Sequence, residues 1–163
     1  MASDRKAAIR QELVDAQREL LEVLDRVGPD DWSRPSPNEG WAIRDLLTHL
    51  STAETGFVPT LRRMSSGEGG VPPDFDPNRW NAGQLRRRAD TTPEQLREEL
   101  EAAHAEMLAL LDSLDEAAFD QRGYLSTGSE GSTDDNFRLV AYHKRSHTDD
   151  IRAALAAPTR ADR

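Results

Sequence analysis

The 163-residue chain contains no cysteine. That excludes a disulfide framework, a thiolate nucleophile and thiolate metal ligands. No apolar run approaches the ~18 residues that mark a membrane span, and the opening Met1-Ala2-Ser3-Asp4-Arg5-Lys6 lacks the apolar core of a signal peptide. A cytoplasmic protein with no membrane contact is therefore expected. Positive charge is scarce: 30 acidic residues outnumber 21 basic ones, for a net charge of -9. Proteins that bind duplexes present a basic face. Here the only compact basic clusters are Arg62-Arg63 and Arg86-Arg87-Arg88, read as solvated helix faces, so no nucleic-acid partner is expected. Lysine is nearly missing, with Lys6 and Lys144 alone. Sustained two-residue alternation is missing too, so no strand is expected, and no internal repeat is visible.

What the chain does have is helical periodicity. Ile9, Leu13, Ala16, Leu20, Leu24 and Val27 recur at three- and four-residue steps, capped by Ser3 or Asp4 and stopped by Gly28-Pro29. A proline-bearing loop follows, in which Trp32 is expected to dock on the core. The second helix is expected from near Trp41 to about Met64, with Leu46, His49, Leu50, Ala53 and Phe57 on its inner stripe. Ser65 to Asn78 reads as a loop, because three glycines and three prolines break any period, and a short helical piece around Ala82–Arg88 can follow. Thr92-Pro93 with Gln95 marks the start of a third long helix, with Leu96, Leu100, Ala103, Met107, Leu110 and Leu114 inward. Gly123 to Asp135 is a polar loop. The last helix, capped by Thr133, Asp134 or Asp135, runs to about Ala156 before Pro158. Four long amphipathic helices give an all-α four-helix bundle with long loops between helices two and three and between three and four. One domain spans residues 1–158, with a frayed tail at 159–163.

Three of the four histidines carry the functional reading. His143 and His147 lie four apart and so project from one helical face, with Val140 and Ile151. Lys144, Arg145 and Asp149 are expected to point outward or sideways. His49 falls on the inner stripe of a different helix. Buried polar groups need partners, and a metal ion provides one if the two helices are neighbours. Three imidazoles suit zinc, nickel, iron or copper, and three protein ligands leave coordination positions open. An open site acts by Lewis acidity and by acidifying what it binds. Glu54, Asp149 and Asp150 are in reach to orient a ligating imidazole, each with the alternative of a solvated charge. Tyr142 and Arg145 flank His143 and are candidates for the mouth of the site. For Arg145 a surface salt bridge is the preferred alternative. Trp41 and Trp80 are candidates to line a pocket, with core packing as the alternative. His104 is read as structural or superficial.

The segment Trp32…Pro35…Gly40-Trp41-Ala42-Ile43-Arg44-Asp45-Leu46-Leu47-Thr48-His49-Leu50 resembles the GW-x-(V/I)-(R/K)-D-(V/L)-L-x-H-L block of the DinB/YfiT-like superfamily, which includes mycothiol-dependent maleylpyruvate isomerase. His143-x3-His147-x3-Ile151 resembles the ligand motif of its fourth helix, and the likeness runs from about Arg5 to Leu155. The resemblance implies a four-helix bundle holding one divalent metal ion, zinc or nickel before iron, on His49, His143 and His147. It further implies an S-transferase joining a low-molecular-weight thiol, of the mycothiol or bacillithiol type, to an electrophile. With no cysteine in the chain, that thiol would come from a cosubstrate. In the isomerase branch a glutamate stands where this chain has His143, which places the chain nearer the hydrolase or transferase branch. A metal-dependent hydrolase is the alternative. So is a non-enzymatic module for metal or small-molecule binding or for dimerisation, and the resemblance also admits a homodimer.

Overall fold

A computed structural model of the protein describes residues 3–127 and 129–159; most of the expected frayed tail lies outside them. The element order is α1 Asp4–Leu24, α2 Ile43–Ser65, α3 Pro77–Arg87, α4 Pro93–Ser113, a 3-10 turn Glu116–Asp120, β1 Arg122–Tyr124, β2 Glu130–Ser132 and α5 Thr133–Ala156. The four long helices form the bundle. Three of the four starts are capped by a side chain. Ser3 accepts from the Lys6 amide, and Thr92 and Ser132 each sit in a reciprocal capping box, with Gln95 and Asp135 respectively. The Asp135 carboxyl is held below the usual range by the Ser132 amide and hydroxyl, so the cap of α5 is Ser132, one residue before the expected caps, with Asp135 as its reciprocal partner.

Around the bundle, α1 packs on α5, α5 on α2, α2 on α4 and α4 back on α1. Consecutive helices α1 and α2 therefore lie across the bundle from each other, as do α4 and α5. This order makes α2 and α5 neighbours, the condition for His49 to meet the other two histidines.

Three expectations need correction. The segment 122–132 is an antiparallel hairpin, with Gly123 opposite Gly131; three-residue strands are too short to show alternation. The short helix α3 starts at Pro77, five residues before the expected piece, because Asp76 accepts from the Arg79 amide and Pro77 occupies the first turn. Lys144 is buried, at 2 % exposure, rather than turned outward. Phe137, Val140, Lys144, Thr148 and Ile151 form the centre of the inner stripe of α5, and His143 and His147 sit at its edge toward α2.

The core is divided. One apolar cluster includes Ile9, Leu13, Ala16, Phe57, Met107 and Phe137. The other includes Leu20, Val23, Leu46, Leu50, Leu100 and Ile151, with Trp32 and Trp41 packed against it. On every long helix the switch between clusters falls at polar residues: Gln17 on α1, His49 and Glu54 on α2, His104 on α4, His143 to Thr148 on α5. A polar layer thus crosses the bundle at mid-height. Among the described residues no helix is long and apolar enough to cross a membrane.

Candidate metal centre

The connection between α1 and α2 is built to present side chains. Asp31 accepts from the Gly28 amide, which with Arg34 holds its carboxyl below the usual range. The Trp32 and Arg34 carbonyls receive the amides of Arg44 and Ile43, and Pro35 bridges to Ala42, so the loop lies across the start of α2. Gly40 takes φ +79°, which a side chain would resist. The turn closes by a bond from the Trp41 amide to the Asn38 carbonyl. The result sets Asn38 and Trp41 at the histidines.

Three imidazoles from two helices converge there. One ring nitrogen from each of His49, His143 and His147 lies within 4.8 Å of the other two. His49 Nε2 and His143 Nε2 are 2.8 Å apart, and all three ring pairs stand edge to face at 4.7 to 4.9 Å between centroids. The Trp41 indole covers His49 at 5.0 Å and reaches His147 at 6.4 Å. Asp150 Oδ2 lies 3.0 Å from His147 Nδ1 and also accepts from Asn38 Nδ2 at 3.3 Å. A carboxylate can only accept, so His147 carries its proton on Nδ1 and its Nε2 lone pair is left to face the cluster. Burial first, then the neighbouring His147, pushes His49 down to about 4, against a small opposing effect of Asn81. Burial, then His49, His147 and Lys144, hold His143 well below its ordinary value. These two imidazoles are neutral at pH 7, the form that ligates. His49 Nδ1 is buried without a hydrogen-bond partner. Neutral nitrogen donors aimed at one point, one of them oriented by a carboxylate, fit a divalent ion with coordination positions to spare.

A cavity of about 260 Å³ opens on the His49 and His143 side. Helix α2 contributes Gly56, Phe57 and Thr60, the segment before α3 contributes Val71 and Phe75, and α3 itself contributes Trp80 and Asn81. Ser126 and Thr127 of the hairpin close it. The two coverings are pinned together: the Val71 amide donates to the Tyr124 carbonyl at 2.8 Å, and a Cβ on Gly70 would lie 1.9 Å from that oxygen.

The sequence-expected residues divide accordingly. His49, His143 and His147 are in mutual contact, Trp41 packs on His49, and Trp80 lines the cavity. Tyr142 is 69 % exposed, and Arg145 pairs with Glu19 on α1 at 3.2 Å. Neither lines the cavity. Asp150 touches His147, whereas Asp149 pairs with Arg152 on the surface. Glu54 is buried against Lys144 and His104. Sequence reasoning missed Asn38 and Asn81. Asn38 had no signal beyond its place two residues before Gly40, and Asn81 lies on α3 between the expected loop, which ends at Asn78, and the helical piece expected from Ala82.

The sequence profile of the DinB superfamily matches residues 12–151 of the chain. No curated protein sequence matches it. Among the solved structures that share the fold are two of interest. One is the mycothiol-dependent maleylpyruvate isomerase, with TM-score 0.77 and 15 % identity over 90 % of this chain. This chain spans only 60 % of that protein. The other is YfiT from Bacillus subtilis, described as a probable metal-dependent hydrolase with an unusual four-helix bundle topology. Its TM-score is also 0.77, with 18 % identity over 94 % of this chain and 87 % of YfiT.

Proposed function

The chain belongs to the DinB superfamily, and on that premise we propose that it is a metal-dependent enzyme whose ion is held by His49, His143 and His147. The reaction we favour joins a low-molecular-weight thiol, of the mycothiol or bacillithiol type, to an electrophile. The observation that carries the metal reading is the convergence of three imidazole nitrogens from two helices beside a cavity. A divalent ion bound there supplies Lewis acidity, acidifying a thiol and polarising an electrophile.

The chain's own residues do the rest. Asp150 keeps the proton on His147 Nδ1 and so keeps Nε2 free. Trp41 and Phe57 shield the imidazoles from water, Phe57 standing edge-on to His143 at 5.7 Å. The cavity holds a substrate against His49 and His143, which provides proximity. Zinc and nickel suit this donor set best, with iron next. Hydrolysis is the second reading, favoured by the nearly full-length likeness to YfiT.

The test is elemental analysis of untagged, dialysed protein beside His147→Ala. About one metal per chain in the parent, lost in a variant that keeps its helical circular dichroism, is the expected result. A variant that still holds one equivalent sinks the assignment. Metal-dependent consumption of thiol with an electrophile then separates transfer from thiol-independent ester cleavage.

A further inference from the structure

Among the described residues, the cavity beside the histidines is lined without a single Asp, Glu, Lys or Arg. That is notable in a chain where 31 % of residues are charged. Arg145, the cation that the sequence suggested for the mouth of the site, is engaged with Glu19 on the α1 side, and the buried cation Lys144 is engaged with Glu54 and Gln17. Aromatic walls stand on two sides, with Phe57 on α2 and Phe75 and Trp80 packed on each other at 6.5 Å. The polar groups are neutral: Asn81 on α3, and the hydroxyls of Thr60, Ser126 and Thr127. Two of those hydroxyls are already bonded, Thr60 to the Gly56 carbonyl and Thr127 to Ser129.

The floor beneath Trp80 depends on one glycine. Gly56 sits in the interior of α2, where glycine costs about 1 kcal/mol relative to alanine. Its φ is not positive, so backbone geometry does not require it. A Cβ placed there would lie 3.5 Å from Trp80 Cζ2. Any longer side chain would therefore grow into the space between α2 and the indole. What the glycine provides is room.

We infer that this cavity selects an uncharged, largely apolar substrate the size of one substituted ring, with Gly56 setting the space and Trp80 the wall. That this ligand is a substrate rests on the metal-centre reading; that it is neutral rests on the lining alone. The size follows from volume: a dry cavity of ~150 Å³ accepts benzene, and this one measures about 260 Å³. The charge preference follows from desolvation, since a carboxylate buried away from the histidines would lose water and meet no cationic side chain.

The probes are 1,4-diacetylbenzene and terephthalate, which have the same shape and differ in charge. Terephthalate cannot enter without burying one carboxylate. Equilibrium dialysis uses metal-stripped protein, so that no ion captures the carboxylate, at 0.5 M salt, so that the net negative charge of the protein is screened. The expected result is saturable binding of the diketone and at least ~10-fold weaker binding of terephthalate. Gly56→Leu should abolish diketone binding. Trp80→Ala, on the shorter helix, should weaken it and keeps the test open if the first variant fails to fold. Equal binding of the two probes, no saturable binding of the diketone, or unchanged binding in folded Gly56→Leu overturns the inference. Elemental analysis of the same preparation after metal is added back and excess dialysed away separates the two readings: a chain that takes up no metal sinks the enzyme proposal and leaves the pocket result standing.

Discussion

His143 and Lys144 are adjacent in sequence and lie in the same polar layer, yet their surroundings differ in kind. Around Lys144 opposite charges meet, through ion contacts rather than aligned hydrogen bonds, since both Glu54 oxygens and His104 Nδ1 are buried without a hydrogen-bond partner. Its ammonium lies 2.6 Å from Glu54 Oε2 and donates to Gln17 Oε1 at 2.7 Å. His104 Nδ1 approaches the other Glu54 oxygen at 3.7 Å. Each long helix contributes one side chain, and the charges compensate. Burial alone would raise the Glu54 carboxyl, but Lys144 and His104 outweigh it and hold it below its ordinary value. Around His143 nothing compensates. Nitrogens face one another across 2.8 Å, and one buried nitrogen has no partner. A closed polar layer fixes helix register, whereas an open one calls for an ion.

The comparison breaks most violently on its closed side. Lys144→Met leaves Glu54 buried without its cation and should cost about 3–5 kcal/mol, read as a shift in the urea midpoint with unchanged slope. Adding Glu54→Gln should recover most of that loss, since removing both charges is far milder than removing one. If Lys144→Met unfolds no more easily than the parent, the pair does not hold the bundle together. The open side should behave oppositely: in stripped protein, His147→Ala removes metal affinity and little stability.

The bundle was legible because three- and four-residue periodicity, caps and prolines are local signals, and they placed all four long helices to within a few residues. The metal-ligand candidates were legible for the same reason, as histidines at helical spacing on inner stripes. The closed half was not. Leu47, Leu50, Glu54, Val58 and Leu61 are spaced as an inner stripe, as are Val140, Lys144, Thr148 and Ile151. A buried charge is read as solvated until its partner is known, and Glu54 and Lys144 are 90 residues apart on helices whose contact only the tertiary structure establishes. Asp76-Pro77 was a helix start with both of its signals present, but the prolines before it made the whole stretch look like loop.

Acid should sharpen the contrast next. His49 titrates at about 4 in the fold against its ordinary 6.5, so between those values the unfolded chain binds more protons than the native one. Stability is then fully present above pH 6.5 and is lost as pH falls toward 4. A shift of this size is worth about 3 kcal/mol from His49 alone, and His143, shifted the same way, adds to it. Carboxylates held low, such as Glu54 and Asp31, begin to contribute only below about pH 4.5. Urea unfolding of stripped protein from pH 7 to 4.5 therefore isolates the imidazoles. A flat profile in the parent, or an equal slope in His49→Ala, would show that they do not titrate as buried bases.

The smallest effect tests whether a carboxylate in the open half serves the ion or the fold. Asp150 is partly exposed, at 25 % for its side chain, so its contact with His147 should contribute under ~1 kcal/mol to stability. Asp150→Asn keeps the size and can still accept the Nδ1 proton of His147, but it removes the charge that fixes that proton and invites the amide to turn and donate instead. Outer partners of ligating histidines typically govern 10–100-fold in metal affinity, or about 1.4–2.7 kcal/mol. Competition against a metallochromic chelator should report that loss while the urea midpoint of stripped protein stays within error of the parent. The reverse outcome, a stability loss with affinity unchanged, would make Asp150 a helix-surface group like Asp149 and move the task of orienting His147 to Asn38. In Glu54 and Asp150 the same functional group, on adjacent helices of one layer, is thus expected to report in two different assays: unfolding for the buried one, metal competition for the half-exposed one.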